Sequence, residues 1–280
     1  MRIAFLMRRH PPTRLSPIMP EVISLLTEWG AHVDLLYPDD GVVNLGEVRP
    51  EHDLYVLRSN SDLALSLAGA LHAAGAATLA PYPVASMLRN KIISTQMLLA
   101  AGVRVPDTFV TMEPEQLAPV LDSGPLILKP YTGSEGQGIR VLWDADDLIG
   151  VTGHDGPLFA MRYHPVDGRD RKIYCIGGQL FGVKRTWPVR SYDDKLGEPF
   201  TLDDEMRELA FACGRAMGID LFGVDIVMSN GVPWVVDMSS FPGFKGVPDA
   251  ALRLADYIYE AAVKAVNGEC ISGPPVAVTV

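Results

Sequence analysis

The 280-residue chain is short of cysteine, of positive charge and of long apolar runs, and each shortage excludes a class of protein. Its three cysteines, Cys175, Cys213 and Cys270, are odd in number and far apart. That spacing excludes a disulfide framework and a cysteine–histidine zinc site, and it is what reduced thiols in the cytoplasm would show. Basic residues number 24 against 34 acidic ones, a net charge of −10, which weighs against duplex nucleic acid as the main partner. No apolar run reaches the ~18–20 residues that span a bilayer. The opening apolar stretch, "RIAFLM", is too short for a signal peptide and precedes its charges. No G-x-G-x-x-G follows this first strand and no Gly-Lys-Ser/Thr leads into a helix, so neither the dinucleotide fingerprint nor the P-loop is present.

What is there reads as alternating strands and helices. Hydrophobic residues make up 48% of the chain, enough for a sizeable core. "RIAFLM", "HVDLLY", "DLYVLR" and "ATLA" read as strands, with helices over "SPIMPEVISLLTEWG" and "DLALSLAGALHAAG" between them. This alternation predicts a parallel sheet covered on both faces up to about residue 82. One helix is expected over "PVASMLRNKIISTQMLLAAG", stopping at Gly102. Strands "LILKP" and "IRVLW" flank "YTGSEGQG", and "PLFAMRY", "DRKIYCIGG", "QLFGVKR", "FGVDIVM" and "PWVVDM" follow, with helices over "DDEMRELAFACGRAMG" and "PDAALRLADYIYEAAVKAV". The fold class is therefore α/β (α+β). The expected divisions are an N-terminal α/β domain over 1–86, a central lobe over 87–158, a C-terminal lobe over 159–270, and a Gly/Pro-rich tail over 271–280 expected to be poorly ordered.

The hairpin "VDIVMSNGVPWVVDM" carries the most chemistry. A two-residue Asn230-Gly231 loop would pair Asp225 with Val236 and turn Asp237 to the other face. A five-residue loop over 229–233 would pair Met228 with Trp234 and Asp225 with Asp237, and would keep Pro233 out of the ladder. The longer loop sorts Val224, Ile226, Met228, Trp234, Val236 and Met238 onto one apolar face, with Asp225, Asp237 and Ser239 on the other, and it is the register expected here. Two carboxylates directly opposite each other repel. They are either solvated or share a hard divalent cation, with the Ser239 hydroxyl as a further oxygen ligand. Upstream, Lys129 ends a strand before Gly133, Gly136 and Gly138. These glycines lead into another strand, so the segment reads as a hairpin lid whose backbone N–H groups could approach a polyphosphate.

In order, "RNK" with Lys91, "GVRVPDTFV", "LILKPYTGSEGQGI", "GRDRKIYCIGGQLFGVKR", "FGVDIV" and "VVDMSSFPG" resemble the ATP-grasp superfamily over essentially the whole chain. The resemblance implies ATP with Mg²⁺ (or Mn²⁺) held between two lobes. Lys91, Lys129 and the lid residues Gly133, Ser134, Glu135, Gly136 and Gly138 would lie on the phosphates. Met161, Arg162 and Tyr163 would form the adenine hinge, although the usual Gln-Glu pair is missing there. Asp225, Asp237 and Ser239 would be metal ligands, where ligases of this kind usually carry Glu and Asn at the last two positions. Lys172, in a "D-x-K" strand with Asp170, and Arg185 would be the catalytic cations.

Two branches compete. RimK-like amino-acid or peptide ligases share the short layout and make an acyl phosphate that an amine attacks. Inositol-phosphate kinases of this superfamily resemble "VVDMSSFPGFKGVP" and stop at a phosphate ester. A nucleotide-binding non-enzyme is the third reading. Arg8, Arg9 and Arg14 after the first strand, Arg58 after a later one, and Lys245 past the Pro-Gly turn would suit a small anionic substrate, a carboxylate or a phosphate. Neither nucleic acid nor membrane is an expected partner, and a homo-oligomer is compatible with what the resemblance implies.

Overall fold

The computed structural model describes residues 1–9, 16–133, 138–152, 156–186 and 196–275. The N-terminal part is a four-stranded parallel sheet of β1 (Arg2–Leu6), β2 (His32–Leu36), β3 (Leu54–Leu57) and β4 (Thr78–Leu79), in the order β2-β1-β3-β4. β1 and β3 at its centre are apolar on both faces because both are covered, whereas β2 at the edge is largely exposed. On one face Ile3, Phe5, Leu54 and Val56 pack against Met19, Val22 and Leu26 of α1 (Ile18–Glu28) and against α6 (Ala250–Val266), the last helix of the chain. On the other, Ala4, Leu6, Tyr55 and Leu57 meet Ala64, Ala68 and Leu71 of α2 (Asp62–Ala73). Leu26 and Leu254 have no solvent exposure, each a burial worth about 1.5–3 kcal/mol.

The expected single helix after this sheet is two helices. α3 (Tyr82–Arg89) and α4 (Lys91–Ala100) are separated by Asn90, which is extended and caps α4 by accepting hydrogen bonds from the backbone N–H groups of Ile92 and Ile93. An Asn side chain competes with helical backbone bonding, which makes it a better cap than an interior residue.

The middle of the chain forms an antiparallel sheet of β5 (Thr108–Thr111), β6 (Leu126–Pro130), β7 (Arg140–Leu142) and β8 (Leu158–Arg162), in the order β5-β8-β6-β7. Leu126, Leu128, Leu158 and Ala160 close one face over the turn at Leu117 and Leu121. Phe159 and Met161 point the other way, into a core shared with α4 and the C-terminal sheet.

That last sheet is antiparallel and runs β11-β10-β9-β12-β13, from β9 (Asp170–Ile176), β10 (Gln179–Arg185), β11 (Glu198–Phe200), β12 (Leu221–Ser229) and β13 (Val232–Ser239). Ile173, Cys175, Phe222, Val224 and Ile226 pack under α5 (Asp204–Met217). Burial pushes the Cys175 and Cys213 thiols up to about 12, and all three cysteines are unpaired. The opposite face divides lengthwise. Tyr174, Ile176 and Val183 join the core with α6, while Lys172 and Asp170, two and four residues before Tyr174, continue the same alternation beyond that helix. The start of the expected tail is packed: Ile271 lies on the first core and Pro275 is buried. Among the described residues, no helix is long and apolar enough to cross a membrane.

Candidate active site

The β12–β13 hairpin reaches the expected acid pairing by an unexpected route. Its loop is the two-residue Asn230-Gly231, both at positive φ (51° and 75°), with Ser229 opposite Val232 and Met228 opposite Pro233. These angles suit the I′ turn whose twist matches paired strands. Pro233 stays in the ladder because β13 is the sheet edge, where a missing N–H costs nothing. Unbroken, this register would set Asp225 against Val236. A bulge between the Ile226–Val235 and Asp225–Asp237 pairs leaves Val236 over, and the carboxylates come out side by side. The five-residue loop is therefore wrong; of the apolar face deduced from it, Val224, Ile226, Met228 and Met238 are in the core, and Trp234 and Val236 are not. Val235 enters the core instead, and Trp234 stacks on His164 with centroids 4.1 Å apart.

The bulge also opens a backbone acceptor. Lys129, at the end of β6, donates from Nζ to the Val236 carbonyl at 3.2 Å and to Met161 Sδ at 3.6 Å. Burial pushes its pKa down, with Asp237 pulling the other way. Lys91 arrives from the opposite wall. The break at Asn90 makes it the first residue of α4, and its N–H donates to the Tyr131 carbonyl at 2.8 Å. Its ammonium donates to the Gly133 carbonyl at 2.9 Å and stands 4.0 Å from Asp237 Oδ2. The two lysines expected on a nucleotide thus converge on one acid from separate elements.

Lys172 on β9 lies directly opposite Asp225 on β12, and Asp225 opposite Asp237 on β13, so the three form one cross-strand row. Lys172 Nζ contacts Oδ1 and Oδ2 of Asp225 at 2.9 and 3.0 Å, and Arg185 Nη2 donates to Oδ1 at 2.9 Å. Asp170 is the cross-strand partner of Arg185. Burial alone would raise the Asp225 pKa, but Lys172 and Arg185 outweigh it and hold the carboxyl below its ordinary 3.8. Asp237 goes up, through burial and the neighbouring Asp225, which Lys91 and Lys129 only partly offset. Asp170 is likewise raised by burial and by Asp225. Gly223 sits in the next row, between Tyr174 and Ser239. A Cβ there would come within 2.9 Å of Pro242 and 3.0 Å of Lys172, so the row closes only over a residue without a side chain.

Other expected residues take different places. Arg162 and Tyr163 donate their backbone N–H groups to the Asp107 and Pro125 carbonyls at 2.7 and 2.9 Å, so neither amide is available to a purine. The Arg162 guanidinium is tied to the Gly124 and Val120 carbonyls. The hinge role of these residues thus loses its backbone donors, and Met161 serves Lys129. Arg9 pairs with Asp40 and lies over the Tyr37 ring, away from the acids, while Arg8 is exposed. Arg14, Ser134, Glu135 and Gly136 lie outside the described residues. Gly133 supplies the carbonyl to Lys91, and Gly138 packs beside Pro130. Reading the residues in sequence missed Asn90 and the Val236 carbonyl. A capping Asn inside a helical run was a usable signal for the first, whereas a backbone acceptor freed by a bulge leaves none.

A hard divalent cation fits the donor set, since two carboxylates and the Ser239 hydroxyl offer only oxygens from one face. The Asp225 oxygens together have about four lone-pair sites, more than Lys172 and Arg185 take. Among the described residues no group of three or more acids, histidines or cysteines forms a metal cage. A Mg²⁺ ion held there would take its remaining ligands from phosphate oxygens and water.

A parallel α/β domain followed by two antiparallel sheets, with lysines and paired acids facing one another between those sheets, is the arrangement of an ATP-grasp protein. The RimK-like ATP-grasp domain matches residues 88–261, and the chain belongs to that family. A probable alpha-L-glutamate ligase of Parasynechococcus marenigrum is 26% identical over 58% of this chain, a match spanning 38% of that protein's length. A probable alpha-L-glutamate ligase of Shewanella loihica is 23% identical over 85% of each chain. The crystal structure of a RimK domain ATP-grasp protein from Sphaerobacter thermophilus superposes with a TM-score of 0.72 at 20% identity, covering 91% of this chain and 98% of the other.

Proposed function

We propose that the protein is an ATP- and Mg²⁺-dependent carboxylate–amine ligase, acting on an amino acid or peptide through an acyl-phosphate intermediate. The observation that carries this reading is the Lys172–Asp225–Asp237 row, faced by Lys91 and Lys129. Family membership and the relatives named as glutamate ligases support amide-bond formation and an amino-acid substrate.

Bound ATP with its divalent ion supplies the electrophilic phosphoryl group. Asp225 and Asp237 would hold the ion, with Ser239 beside them. Lys91 and Lys129 bind phosphate oxygens, and the low dielectric around the buried Lys129 strengthens that attraction. Lys172 and Arg185, whose fixed positions on Asp225 need no reorganisation, balance negative charge on the transferring group. The substrate carboxylate oxygen attacks phosphorus and ADP leaves. The amine then attacks the acyl carbon, phosphate leaves, and the ammonium proton passes to solvent.

Product balance tests the proposal. With amino-acid and peptide mixtures, ADP and inorganic phosphate should appear in equal amounts, and hydroxylamine should trap a hydroxamate. ADP without free phosphate would identify a kinase and overturn the ligase reading. Turnover of neither kind with any carboxylate would leave a nucleotide-binding protein.

A further inference from the structure

The β12–β13 hairpin has a second way to pair its aspartates. A five-residue loop over 229–233 would set Val236 opposite Ile226 and Val235 opposite Val227, and would leave Asp225 against Asp237 with no bulge. The two registers differ only between the turn and the acids. Passing from one to the other turns residues 233–236 over to the opposite face. In the core this exchanges Val235 for Val236, like for like, and β13 is an edge strand with no further strand of its sheet to hold it. Valine packing therefore chooses weakly between them. The site does not. The Val236 carbonyl that accepts from Lys129 at 3.2 Å is set aside from the ladder by the bulge, and only the two-residue turn requires that bulge.

The turn is held from outside the hairpin. Asp167, in the linker between β8 and β9, donates its N–H to the Met228 carbonyl at 2.7 Å, and its carboxylate accepts from the Gly231 N–H at 2.8 Å. One residue thus grips both the end of β12 and the turn that leads out of it. Among the described residues, only Asp167 bonds the turn from elsewhere in the chain. Two contacts farther along β13 belong to the same register. Trp234 stacks on His164 of the same linker, with centroids 4.1 Å apart, and Val235 donates its N–H to the Arg104 carbonyl at 2.9 Å. Turned over, Trp234 would leave His164 for the side of Met228.

We propose that Asp167 is a positioning residue for the nucleotide site: it selects the bulged register of β13 and so places the Val236 carbonyl that seats Lys129. This deepens the ligase reading and rests on it for the role of Lys129 on the nucleotide. Asp167 acts at a distance from the chemistry, through the end of β12, the turn and the bulge. Without its grip the hairpin would divide between two registers that share the acid pair. A nucleotide would then bind fully only to the fraction in which Lys129 has its acceptor, and its apparent affinity would fall by that fraction.

Calorimetric titration with Mg²⁺·ATP and tryptophan emission test this on the full chain, with Asp167→Ala and Asp167→Asn. Asp167 is exposed, so neither change reaches the core. Asp167→Ala should weaken Mg²⁺·ATP binding about tenfold with the far-ultraviolet circular dichroism unchanged. Asp167→Asn, which keeps an acceptor oxygen for the Gly231 N–H, should bind nearly as the native protein does. In a chain lacking Val236 there is no bulge to place, and Asp167→Ala should weaken binding no further, a non-additivity that a merely stabilising contact would not show. The emission of Trp234, taken as the difference from Trp234→Phe, should change in Asp167→Ala and not in Asp167→Asn, because the ring leaves His164. Equal affinity in the native protein and Asp167→Ala, the same loss with and without Val236, or unaltered Trp234 emission would each overturn the assignment. Absence of Mg²⁺·ATP binding by the native protein strikes the ligase reading instead, and Trp234 emission then decides by itself whether Asp167 sets the register.

Discussion

β12 and β13 each deliver one aspartate to the same face, opposite each other, yet the two carboxylates are in contrary electrostatic states. Asp225, on an interior strand, has Lys172 and Arg185 within 3 Å and is held below its ordinary pKa. Asp237, on the edge strand, accepts from the Met238 N–H and, among the described residues, has only Lys91 as an ion-pair partner, at 4.0 Å, and its pKa is raised. One acid is part of the framework and the other is underpaid in positive charge. An arriving cation is repaid most by the second, and the first keeps its place whether or not a ligand is bound.

The contrast can be broken experimentally. The largest effect should come from Lys129→Ala, which removes the cation facing both acids; turnover in the product-balance assay should fall about 100-fold or more with the far-ultraviolet circular dichroism unchanged. Near-native turnover would remove Lys129 from the site. Asp225→Asn should cost about 2 kcal/mol in denaturant unfolding, since it strands Lys172 and Arg185; the cost stays below that of a fully buried pair because 32% of the side chain is exposed.

The sign of the pH dependence follows from the same acid. The Asp225 carboxyl binds its proton more weakly in the folded protein than in the unfolded chain. Its stabilisation is complete above the ordinary value of 3.8 and disappears as pH falls through that value towards the lower native one. Asp225→Asn should flatten this acid limb, and an unchanged limb would place the stabilisation elsewhere.

Deleting Val236 sharpens the comparison from the backbone side. Regular pairing would then carry Asp237 into the slot opposite Asp225, keeping the pair while removing the Lys129 acceptor. Nucleotide affinity, measured by titration calorimetry, should weaken about tenfold. The smallest effect on folding is expected for Asp237→Asn, which relieves repulsion with Asp225. It should raise the unfolding midpoint slightly at neutral pH while weakening the Mg²⁺ dependence of nucleotide binding. A loss of stability would show that Asp237, too, belongs to the framework.

The elements were legible in the sequence wherever periodicity was strong. The parallel strands, the helix stopped at Gly30, the "LILKP"–"IRVLW" hairpin and the final helix all stand as read. The Asp225–Asp237 pairing was also read correctly, but from a wrong loop: a two-residue turn plus one bulged residue gives the same parity as a five-residue turn. A one-residue bulge leaves no mark in apolar alternation when the bulged residue and the one before it, Val236 and Val235, are alike. The 82–100 segment was read as one helix because its apolar spacing runs on through Asn90, and only the cap bonds show the break. That the Arg162 and Tyr163 amides are taken was hidden for a related reason: whether a backbone N–H is free depends on what packs beside it, here the Asp107 and Pro125 carbonyls.

Residue types and their order along the chain were enough to settle an α/β chain of the ATP-grasp kind, with two lysines, a glycine hairpin and two aspartates as its chemical parts, because alternation and motif spacing are local properties. Which atoms meet was decided in three dimensions. The Val236 carbonyl under Lys129, the clamp of Lys172 and Arg185 on one acid, and the guanidinium of Arg58 over Phe241 depend on register, on a bulge and on the docking of distant elements. Charge interactions act over a few ångströms of space, and distance along the chain does not report that separation.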